Sequence, residues 1–458
     1  MQPILDQKNS NIFDWKNSKQ VLDLALPAMA ENILQVLLGI VDTFFIAKLG
    51  TAAIAAVGAT NLIINLYIAF FTALGVGTTA LVARNIGAKK PAKAGLVTEQ
   101  SLLLTIILGL LTGVISLVFS ENILVLLGVK AGVLRFALPY FRVVAVPSVF
   151  LAVMLVLSRA LRGAGDTKTP LKITLLINLI NVILDYILIF GLGNMQGLGI
   201  TGAGLATTLA RLIGVILLLV FLRSKKSPFP LSFKLKLTIK PVIVQNILKI
   251  GFPAALERLV MRIGQLVYSA MIIQISTAAY AAHNIAGSIE SLSYMPGYGF
   301  AIAASTLVGQ NLGANQPEKA QYLGRLSNCL GSILMVVIGI FFFILARPLG
   351  SLFTTETAVL NQVVLVLRII ALVQPALATT LIITAALQGA GDTKFPMYST
   401  LIGIWGIRVG GVYLLGIVCR LGLIGVWIAV AFDLLVRAIL LFLRFRKGQW
   451  KEILQPVK

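Results

Sequence analysis

Charged residues are scarce in this sequence, and histidine and cysteine are almost missing from it. Only 12% of the 458 residues are charged, whereas a soluble domain carries roughly 25%. His283 is the only histidine, so a histidine-based metal cluster or proton relay is excluded, and we expect it to make a packed interhelical hydrogen bond. The two cysteines, Cys329 and Cys419, lie far apart in apolar surroundings and fit neither a disulfide framework nor a metal site. No Gly-x-Ser-x-Gly and no Ser/His arrangement occurs, so the sequence does not predict an enzyme.

Long apolar runs are what the sequence has in abundance. Hydrophobic residues make up 58% of the chain, and runs of about 20 residues, long enough to cross a bilayer as a helix, recur along its whole length. The alternating strands of a membrane barrel are missing, and open sheets do not span lipid. We therefore predict an all-α integral membrane protein. Its twelve predicted transmembrane helices cover 20–47, 53–82, 95–119, 133–157, 169–190, 200–222, 247–273, 279–308, 321–345, 358–386, 394–416 and 424–445.

Positive charge is sorted between the two sides of the predicted helices. The whole chain carries a net charge of +22. The termini and the even-numbered loops hold most of its lysines and arginines. The positive-inside rule therefore places both termini in the cytoplasm. The excess charge then reflects topology and attraction to anionic lipid rather than nucleic-acid binding. The polar first 20 residues contain no signal peptide, which fits a multi-pass protein of a bacterial or archaeal plasma membrane. The lysines and arginines of the odd-numbered loops, on the opposite side of the membrane, are Lys48, Lys130, Arg135, Arg347 and Arg420.

The chain contains one pattern twice, at a constant separation of 226 residues. The matching pairs are Pro27 and Pro253, Glu31 and Glu257, Asn85 and Asn311, Gly163 and Gly389, and Arg211 and Arg437. Each half has an even number of helices, so both halves enter the membrane in the same orientation, and in transporters with such repeats the substrate site lies between the halves. The predicted segments are a cytoplasmic N-terminal segment (1–19), an N-lobe (20–222), a cytoplasmic linker (223–246), a C-lobe (247–445) and a cytoplasmic tail (446–458).

Two stripes of polar residues lie inside the predicted N-lobe helices. An ionised group at the bilayer centre costs about 2.5–3.5 kcal/mol on insertion scales, so each such group needs a partner or a function. Two carboxylates with amide oxygens nearby suit a hard cation, and the same carboxylates could share a proton. They could equally be structural groups that hold helices together. The first stripe lies within about 40° on one helix face, and it consists of Glu31, Gln35 and Asp42. The second stripe has the spacing i, i+3, i+7, and it consists of Asn178, Asn181 and Asp185.

The second half does not repeat this acidic pattern. The positions that match Asp42, Asn181 and Asp185 hold Tyr268, Ile407 and Gly411. Glu257 remains, and it could pair with an arginine as a structural bridge or take part in gating or substrate binding. The arginines near it in the predicted helices are Arg258, Arg262 and Arg408.

Polar and aromatic side chains cluster in the C-lobe helices. Met261, Tyr268 and Tyr298 have the flexible and flat surfaces that suit planar cations, although ordinary packing explains them equally well. Asp433 and Arg437, spaced i, i+4, are expected to pair locally.

Three loop and helix segments resemble the multidrug and toxic compound extrusion (MATE) family of transporters. They are GAGDTK at 163–168 and 389–394, LVARNIGAKKPAKA at 81–94 with LVGQNLGANQPEKA at 307–320, and MPGYGFAIAAS at 295–305. The resemblance implies two six-helix lobes around a central cleft, alternating access driven by Na⁺ or H⁺, and export of bulky, often amphipathic and cationic organic compounds without a cofactor. We interpret the two GAGDTK segments as helix-connecting turns, in which glycine supplies unusual backbone angles and Asp166 or Asp392 caps a helix.

The resemblance also implies where the ion binds. In the archaeal and DinF-like branches an aspartate of the first helix works with an Asn-x-x-x-Asp of the fifth and often with a threonine of the sixth. NorM-like members differ by an acidic residue in the tenth helix, which is missing from 358–386 here. The predicted coupling residues are Asp42, Asp185, Asn181, Thr207 and Asn178, of which Asp42, Asp185 and Asn181 would bind Na⁺ if sodium is the coupling ion. The predicted gating or substrate residues are Glu31, Gln35, Glu257, Tyr268, Met261, Tyr298 and Arg408.

We therefore predict a secondary antiporter that exports organic compounds in exchange for Na⁺ or H⁺. A monomer is expected, because the internal duplication closes a two-lobed cleft without a second chain. The alternative is a flippase for lipid-linked or anionic lipid substrates on the same architecture. Such a flippase would line its cleft with the arginines that lie within predicted helices, which are Arg142, Arg211, Arg258, Arg262, Arg368, Arg408 and Arg437.

Overall fold

The computed structural model describes residues 14–193, 195–231 and 239–453, and these are almost entirely helical. A two-residue hairpin, in which β1 (Gly191–Leu192) pairs antiparallel with β2 (Met195–Gln196), joins two of the helices. The segments predicted over 1–19, 223–246 and 446–458 lie partly outside the described residues. The α-helices are α1 (Trp15–Ala47), α2 (Thr51–Gly87), α3 (Pro91–Val118), α4 (Ser120–Leu126), α5 (Ala131–Ala145), α6 (Ser148–Gly163), α7 (Lys168–Phe190), α8 (Ile200–Arg223), α9 (Pro241–Ile275), α10 (Thr277–Gly313), α11 (Pro317–Ile344), α12 (Ala346–Ser351), α13 (Thr357–Ala390), α14 (Lys394–Leu401) and α15 (Gly422–Lys447).

The twelve predicted spans can all be located among these helices. In the described part of the chain, nine helical segments are long and apolar enough to cross a membrane, and the bent pair α5 and α6 makes a tenth. The other two predicted spans are α9 and α10, which have 35 and 37 residues and so exceed the ~20 residues that a span requires. They are less apolar than the rest, because their polar side chains line a cavity described below.

Two of the predicted spans are not continuous α-helices. The fourth, predicted as one helix over 133–157, is bent by 45° between α5 and α6. Pro147 precedes α6, and a proline lacks the N–H for the helical hydrogen bond and clashes with the preceding turn. The eleventh, predicted over 394–416, begins as α14 and continues as wider π-helical turns over Ile402–Val409 and Val412–Val418.

The described chain forms two compact units whose boundaries lie inside α1 and α9. One unit consists of Ala30–Ala255, and the other consists of the chain up to Met29 together with the chain from Leu256 onward. Each boundary lies just after a proline within the helix, Pro27 in α1 and Pro253 in α9. The two prolines occupy equivalent positions of the repeat, so the duplication predicted from the sequence is also visible in how the helices are divided between the units.

The GAGDTK segments form the same turn in both units. Gly165 and Gly391 both have φ of +92°, in the left-handed region that favours glycine. After the first turn, Asp166 Oδ1 accepts a hydrogen bond from the backbone N–H of Thr169 at 2.9 Å. After the second, Asp392 Oδ1 accepts one from Phe395 N at 3.5 Å. The predicted roles of glycine and of the two aspartates in these turns are therefore confirmed.

A glycine in front of each turn lets two helices approach closely. A Cβ on Gly163 would lie 2.7 Å from the carbonyl oxygen of Thr79, and a Cβ on Gly389 would collide with the carbonyl oxygen of Ser305. Thr79 and Ser305 are themselves equivalent positions of the repeat. The same glycine-mediated crossing, α2 with α6 in one unit and α10 with α13 in the other, is therefore used twice.

We expect Gly389→Ala to destabilise the protein, because the added methyl group would force the backbones of α10 and α13 apart. Overpacking of this kind costs about 1–3 kcal/mol, which thermal unfolding in detergent, followed by tryptophan fluorescence, would detect as a lower midpoint. Gly58→Ala is the matched control, because nothing lies within 4 Å of a Cβ at Gly58 and alanine favours the helix. Equal midpoints for the two variants would contradict this account of the crossing.

Candidate functional site

The unit formed by Ala30–Ala255 brings the predicted acidic residues together. Asn181 and Asp185 lie one turn apart on the same face of α7 and are 2% and 1% exposed. Asp42 on α1 is half-buried, and its carboxyl group lies within hydrogen-bonding reach of that of Asp185. The two polar stripes that the sequence placed on α1 and α7 therefore meet, and two carboxylates and an amide converge between these helices.

Four side-chain atoms of this cluster are buried without a hydrogen-bond partner among the described residues. They are Asp42 Oδ1, Asp185 Oδ2, and both amide atoms of Asn181. Buried polar groups in proteins almost always have a partner, because leaving one without it is costly. Oxygen atoms that remain free in this way can accept a proton or coordinate a hard cation. In the described part of the chain, no group of three or more His, Cys, Asp or Glu side chains could hold a metal, so a bound cation would need the oxygen of Asn181.

Arg211 and Tyr140 lie around the acidic pair. The sequence did not predict either of these two residues at the site. Arg211 on α8 interacts electrostatically with Asp42 and with Tyr140, a buried residue of α5. One positive charge therefore faces two carboxylates. The repeat could have indicated that Arg211 interacts with an aspartate. Arg211 matches Arg437 of the other half, and the sequence predicted that Arg437 pairs with Asp433.

Asn178 and Thr207 differ from Asn181 in that their side chains have partners. The amide of Asn178 donates to the carbonyl oxygen of Leu34 at 3.1 Å and so ties α7 to α1. The hydroxyl of Thr207 donates to Ala203 O of its own helix at 3.0 Å, which leaves its oxygen lone pairs available. Their roles in coupling stay predictions.

Glu31, predicted as a gating or substrate residue, is held by a buried ion pair. Its carboxylate lies 2.6 Å from Arg162 Nη2 and accepts a hydrogen bond from Thr174 at 3.2 Å. This arrangement fixes α1 against α6 and α7. Gln35, one turn further along α1, is exposed.

The repeat reproduces this arrangement at Glu257 with one important change. Glu257 accepts hydrogen bonds from Gln388 at 3.1 Å and from Thr400 at 3.3 Å, and these two residues match Arg162 and Thr174 of the first half. Glutamine thus takes the place of the arginine. Of the two roles that the sequence left open for Glu257, the ion pair with an arginine is not formed among the described residues, because two neutral donors hold the carboxylate and Arg258 and Arg437 act on it only electrostatically. Its gating or substrate role stays a prediction.

Arg408 pairs with a carboxylate on α15. Its Nη2 lies 2.6 Å from Asp433 Oδ2, and Arg437 Nε lies 2.7 Å from Asp433 Oδ1. Asp433 is fully buried, so the predicted local pair with Arg437 is confirmed and Arg408 adds a second cation to it. The guanidinium of Arg408 also lies over the ring of Tyr268, 5.6 Å from its centroid.

The second unit contains a cavity of about 520 Å³ between α9, α10, α13, α15 and the π-helical turns. Five of the residues predicted for gating or substrate binding line it together, although they come from three different spans. These five are Glu257, Met261, Tyr268, Tyr298 and Arg408. The sequence therefore predicted these residues, but it placed the substrate site between the halves and did not predict a cavity within the second unit.

Three further residues of this cavity, His283, Trp427 and Glu290, add ring nitrogens and a carboxyl group to it. The ring of His283 packs between Tyr268 and Trp427, at centroid distances of 5.8 and 5.4 Å. The ring of His283 is packed as expected, but the predicted interhelical hydrogen bond is not found, since its Nδ1 has no partner in the described chain. Trp427 Nε1 has none there either. Glu290 is buried and hydrogen-bonded with Tyr294. Glu290 and Trp427 were not predicted, although an acidic residue inside an apolar helix was a visible signal.

Comparison with known proteins decides the family. The MatE family profile matches residues 27–187 and 253–414, once in each half and over more than half of the chain. The chain belongs to the MATE family of transporters. It is therefore a membrane transporter and not an enzyme, with the fold of twelve transmembrane helices in two lobes that its structural relatives share. MATE transporters need no cofactor.

Several MATE relatives are similar over nearly their full length. The chain is 33% identical to "Probable multidrug resistance protein NorM" of Thermotoga maritima, covering 95% of this chain and 93% of that protein. It is 28% identical to "FAD transporter" of Shewanella oneidensis, with 84% of each chain covered. A multidrug resistance MATE transporter solved in an outward-facing conformation aligns with a TM-score of 0.87 at 26% identity, covering 94% and 95% of the two chains. These likenesses support multidrug efflux as the general function.

Proposed function

We propose that this MATE transporter is a secondary antiporter that exports organic compounds in exchange for Na⁺ or H⁺ bound at Asp42 and Asp185. The observation that carries the proposal is the set of buried, unpartnered oxygen atoms on Asp42, Asn181 and Asp185. A proton or a sodium ion would satisfy the two carboxylates, and the amide oxygen of Asn181 would add a third ligand for sodium. Coupling by one of these ions is typical of the family.

Ion binding changes the balance of charge between α1 and α7. With both carboxylates ionised, Asp42 and Asp185 repel each other at hydrogen-bonding distance, and Arg211 compensates one of the two charges. A bound proton or cation removes the repulsion and draws the two helices together. A ligand shifts a conformational equilibrium by its difference in affinity for the two states. We therefore expect the ion to favour one packing of α1 against α7, and through it one side of access for the cargo.

The membrane environment follows from the charge distribution. We propose a plasma-membrane location with both termini in the cytoplasm, because lysine and arginine are concentrated in the termini and the even-numbered loops. Export then means movement away from the side on which these loops lie.

The proposal is tested by efflux of ethidium from right-side-out membrane vesicles that contain the protein, with sodium and pH gradients imposed separately. We expect one of the two gradients to drive transport, and that gradient names the coupling ion. Vesicles prepared without the protein give the background. Ethidium and further organic compounds that respond to neither gradient would refute ion-coupled export.

A second candidate function is movement of anionic lipids, because four of the seven arginines within helices line the cavity of the second unit. The relative named "FAD transporter" adds a cargo whose chemistry includes phosphate groups. Against this, two of the four arginines are already paired with Asp433, which compensates one of their two charges. Reconstituted vesicles with a fluorescent anionic lipid would decide: transbilayer movement that depends on the protein, without gradient-driven efflux of organic compounds, favours the flippase. The four arginines are Arg258, Arg262, Arg408 and Arg437.

A further inference from the structure

We infer that the cavity of the second unit binds planar aromatic compounds through an anionic edge, such as the carboxylate of an aromatic acid. Its role in export rests on the proposed function, whereas ligand binding itself does not. The inference concerns the cavity between α9, α10, α13 and α15, which is separate from the ion site of Asp42 and Asp185. It reverses the expectation that this chain prefers organic cations.

The charges around the cavity favour an anion. Four arginines line it, and the carboxylates at or directly beside its wall are Glu257, Glu290 and Asp433. With all of these groups ionised, the site carries an excess of one positive charge. Arg408 and Arg437 are buried, whereas Arg258 is half-buried and Arg262 is exposed. Solvent screens part of this excess, but the excess still attracts a negatively charged ligand and disfavours a positively charged one.

The carboxylates of the site are already engaged by protein donors. Glu257 accepts from Gln388 and Thr400, Glu290 is bonded with Tyr294, and Asp433 accepts from two arginines. Among the described lining residues, none of these carboxylates has a buried oxygen without a partner. These hydrogen bonds compete with an organic cation for the same carboxylate oxygens and so weaken the attraction of the cavity for a cation.

Two hydrogen-bonding ring nitrogens of the site, unlike its carboxylates, have no partner in the part of the chain that the structure describes. Trp427 is 3% exposed and lines the cavity, and its buried Nε1–H has no partner among the described residues. Indole nitrogen can only donate, so an acceptor is needed to satisfy it. His283 also lines the cavity in ring contact with Trp427, and its buried Nδ1, which donates in one of its two neutral tautomers, has no partner either. A ligand that carries an acceptor such as a carboxylate would satisfy these donors by a small turn of either ring.

The walls of the cavity suit a flat ring system. Tyr268, Tyr294 and Tyr298 line it, and the rings of the last two are tilted by only 32° at a centroid distance of 6.2 Å. Met261 and Met295 add flexible apolar surface. A volume of about 520 Å³ lies within the range of roughly 300–1,000 Å³ that holds drug-sized molecules. A ring system carrying one anionic edge therefore fits both the apolar walls and the unpartnered donors.

The test compares two dyes with the same xanthene ring and opposite charge, fluorescein as the anion and rhodamine 123 as the cation. Binding to the purified full-length protein in lipid nanodiscs is measured by fluorescence anisotropy. We expect the protein to bind fluorescein more tightly than rhodamine 123. Trp427→Phe, which keeps a ring but removes the donor, should weaken fluorescein binding about tenfold, as expected for one hydrogen bond to a charged group.

Two further variants keep the result interpretable. Trp405→Phe is the matched control, because Trp405 Nε1 already donates to Val260 O and the residue does not line the cavity; it should bind fluorescein as the parent protein does. Arg262→Gln removes an exposed guanidinium whose hydrogen bond goes to Gln265, so it should fold normally and should also weaken fluorescein binding.

The outcomes separate this inference from the proposed function. Tighter binding of rhodamine 123, or fluorescein binding that neither Trp427→Phe nor Arg262→Gln changes, overturns the inference even if ethidium efflux remains gradient-driven. Fluorescein binding that both variants weaken supports it, even if no gradient drives efflux and the proposed antiport fails.

Discussion

Replacing Asp185 with asparagine is expected to reduce gradient-driven efflux to background while leaving the amount of protein in the membrane unchanged. Asparagine has nearly the same shape, but it cannot take up a proton and carries no negative charge for sodium. Asp185 is 1% exposed and has an unpartnered Oδ2, and without its charge Asp42 would be the one remaining carboxylate of the pair. Coupling free energies between sites are typically about 1–3 kcal/mol, so their loss changes driven transport roughly 5–150-fold.

Thr60→Ala is the control for this experiment, because Thr60 lies in the same unit and is also polar and buried, but it is not among the predicted coupling residues. Its hydroxyl donates to Ala56 O at 3.0 Å, so we expect a loss of about 1 kcal/mol in stability and retention of ion-coupled efflux. Both variants are assayed in the same right-side-out vesicles under the gradient that drives the parent protein. Normal efflux by Asp185→Asn would exclude Asp185 from the coupling site and would leave the antiport mechanism without its ion-binding residue.

Most of the fold could be predicted because membrane insertion imposes simple rules on the sequence. Hydropathy located the spans, and the 226-residue repeat related the two halves. The break at Pro147 was missed because the apolar run continues through it, and hydropathy does not register a missing N–H. Helices such as α2 extend past their predicted ends, to Gly87 rather than 82, because a helix continues in water after the hydrocarbon region has ended.

The proposed ion site was easier to predict than the cavity of the second unit, for a physical reason. Asp42, Asn181 and Asp185 lie on regular helices, where spacing fixes which side chains share a face. The partner of Arg408 depends on how the π-helical turns pack against α15, and spacing alone does not give that contact. The partner of Glu257 could have been predicted more easily, because the repeat places Gln388 where the first half has Arg162, which pairs with Glu31.

Asp433→Asn is expected to cause a large loss of stability, because Asp433 is the only carboxylate within hydrogen-bonding distance of both Arg408 and Arg437 among the described residues. It is fully buried. Removing one partner of a buried ion pair costs about 3–5 kcal/mol, since the remaining charge stays in a medium of low dielectric constant. Gly403 packs directly against the pair, and a Cβ there would collide with Asp433, so we expect little room for water to replace the lost charge. Thermal unfolding in detergent should show a clearly lower midpoint.

Glu318→Gln provides the comparison that separates burial from charge. Glu318 pairs with Lys451 at 2.7 Å, but its side chain is 80% exposed, and exposed pairs contribute about 0–1 kcal/mol. Combining Asp433→Asn with Arg437→Met should recover part of the stability, because it removes one of the two uncompensated charges, and the recovery measures the coupling between the two residues. If Asp433→Asn and Glu318→Gln shifted the midpoint equally, the two arginines would have to be neutralised by some other group, and the charge balance assigned to the cavity would have to be redrawn.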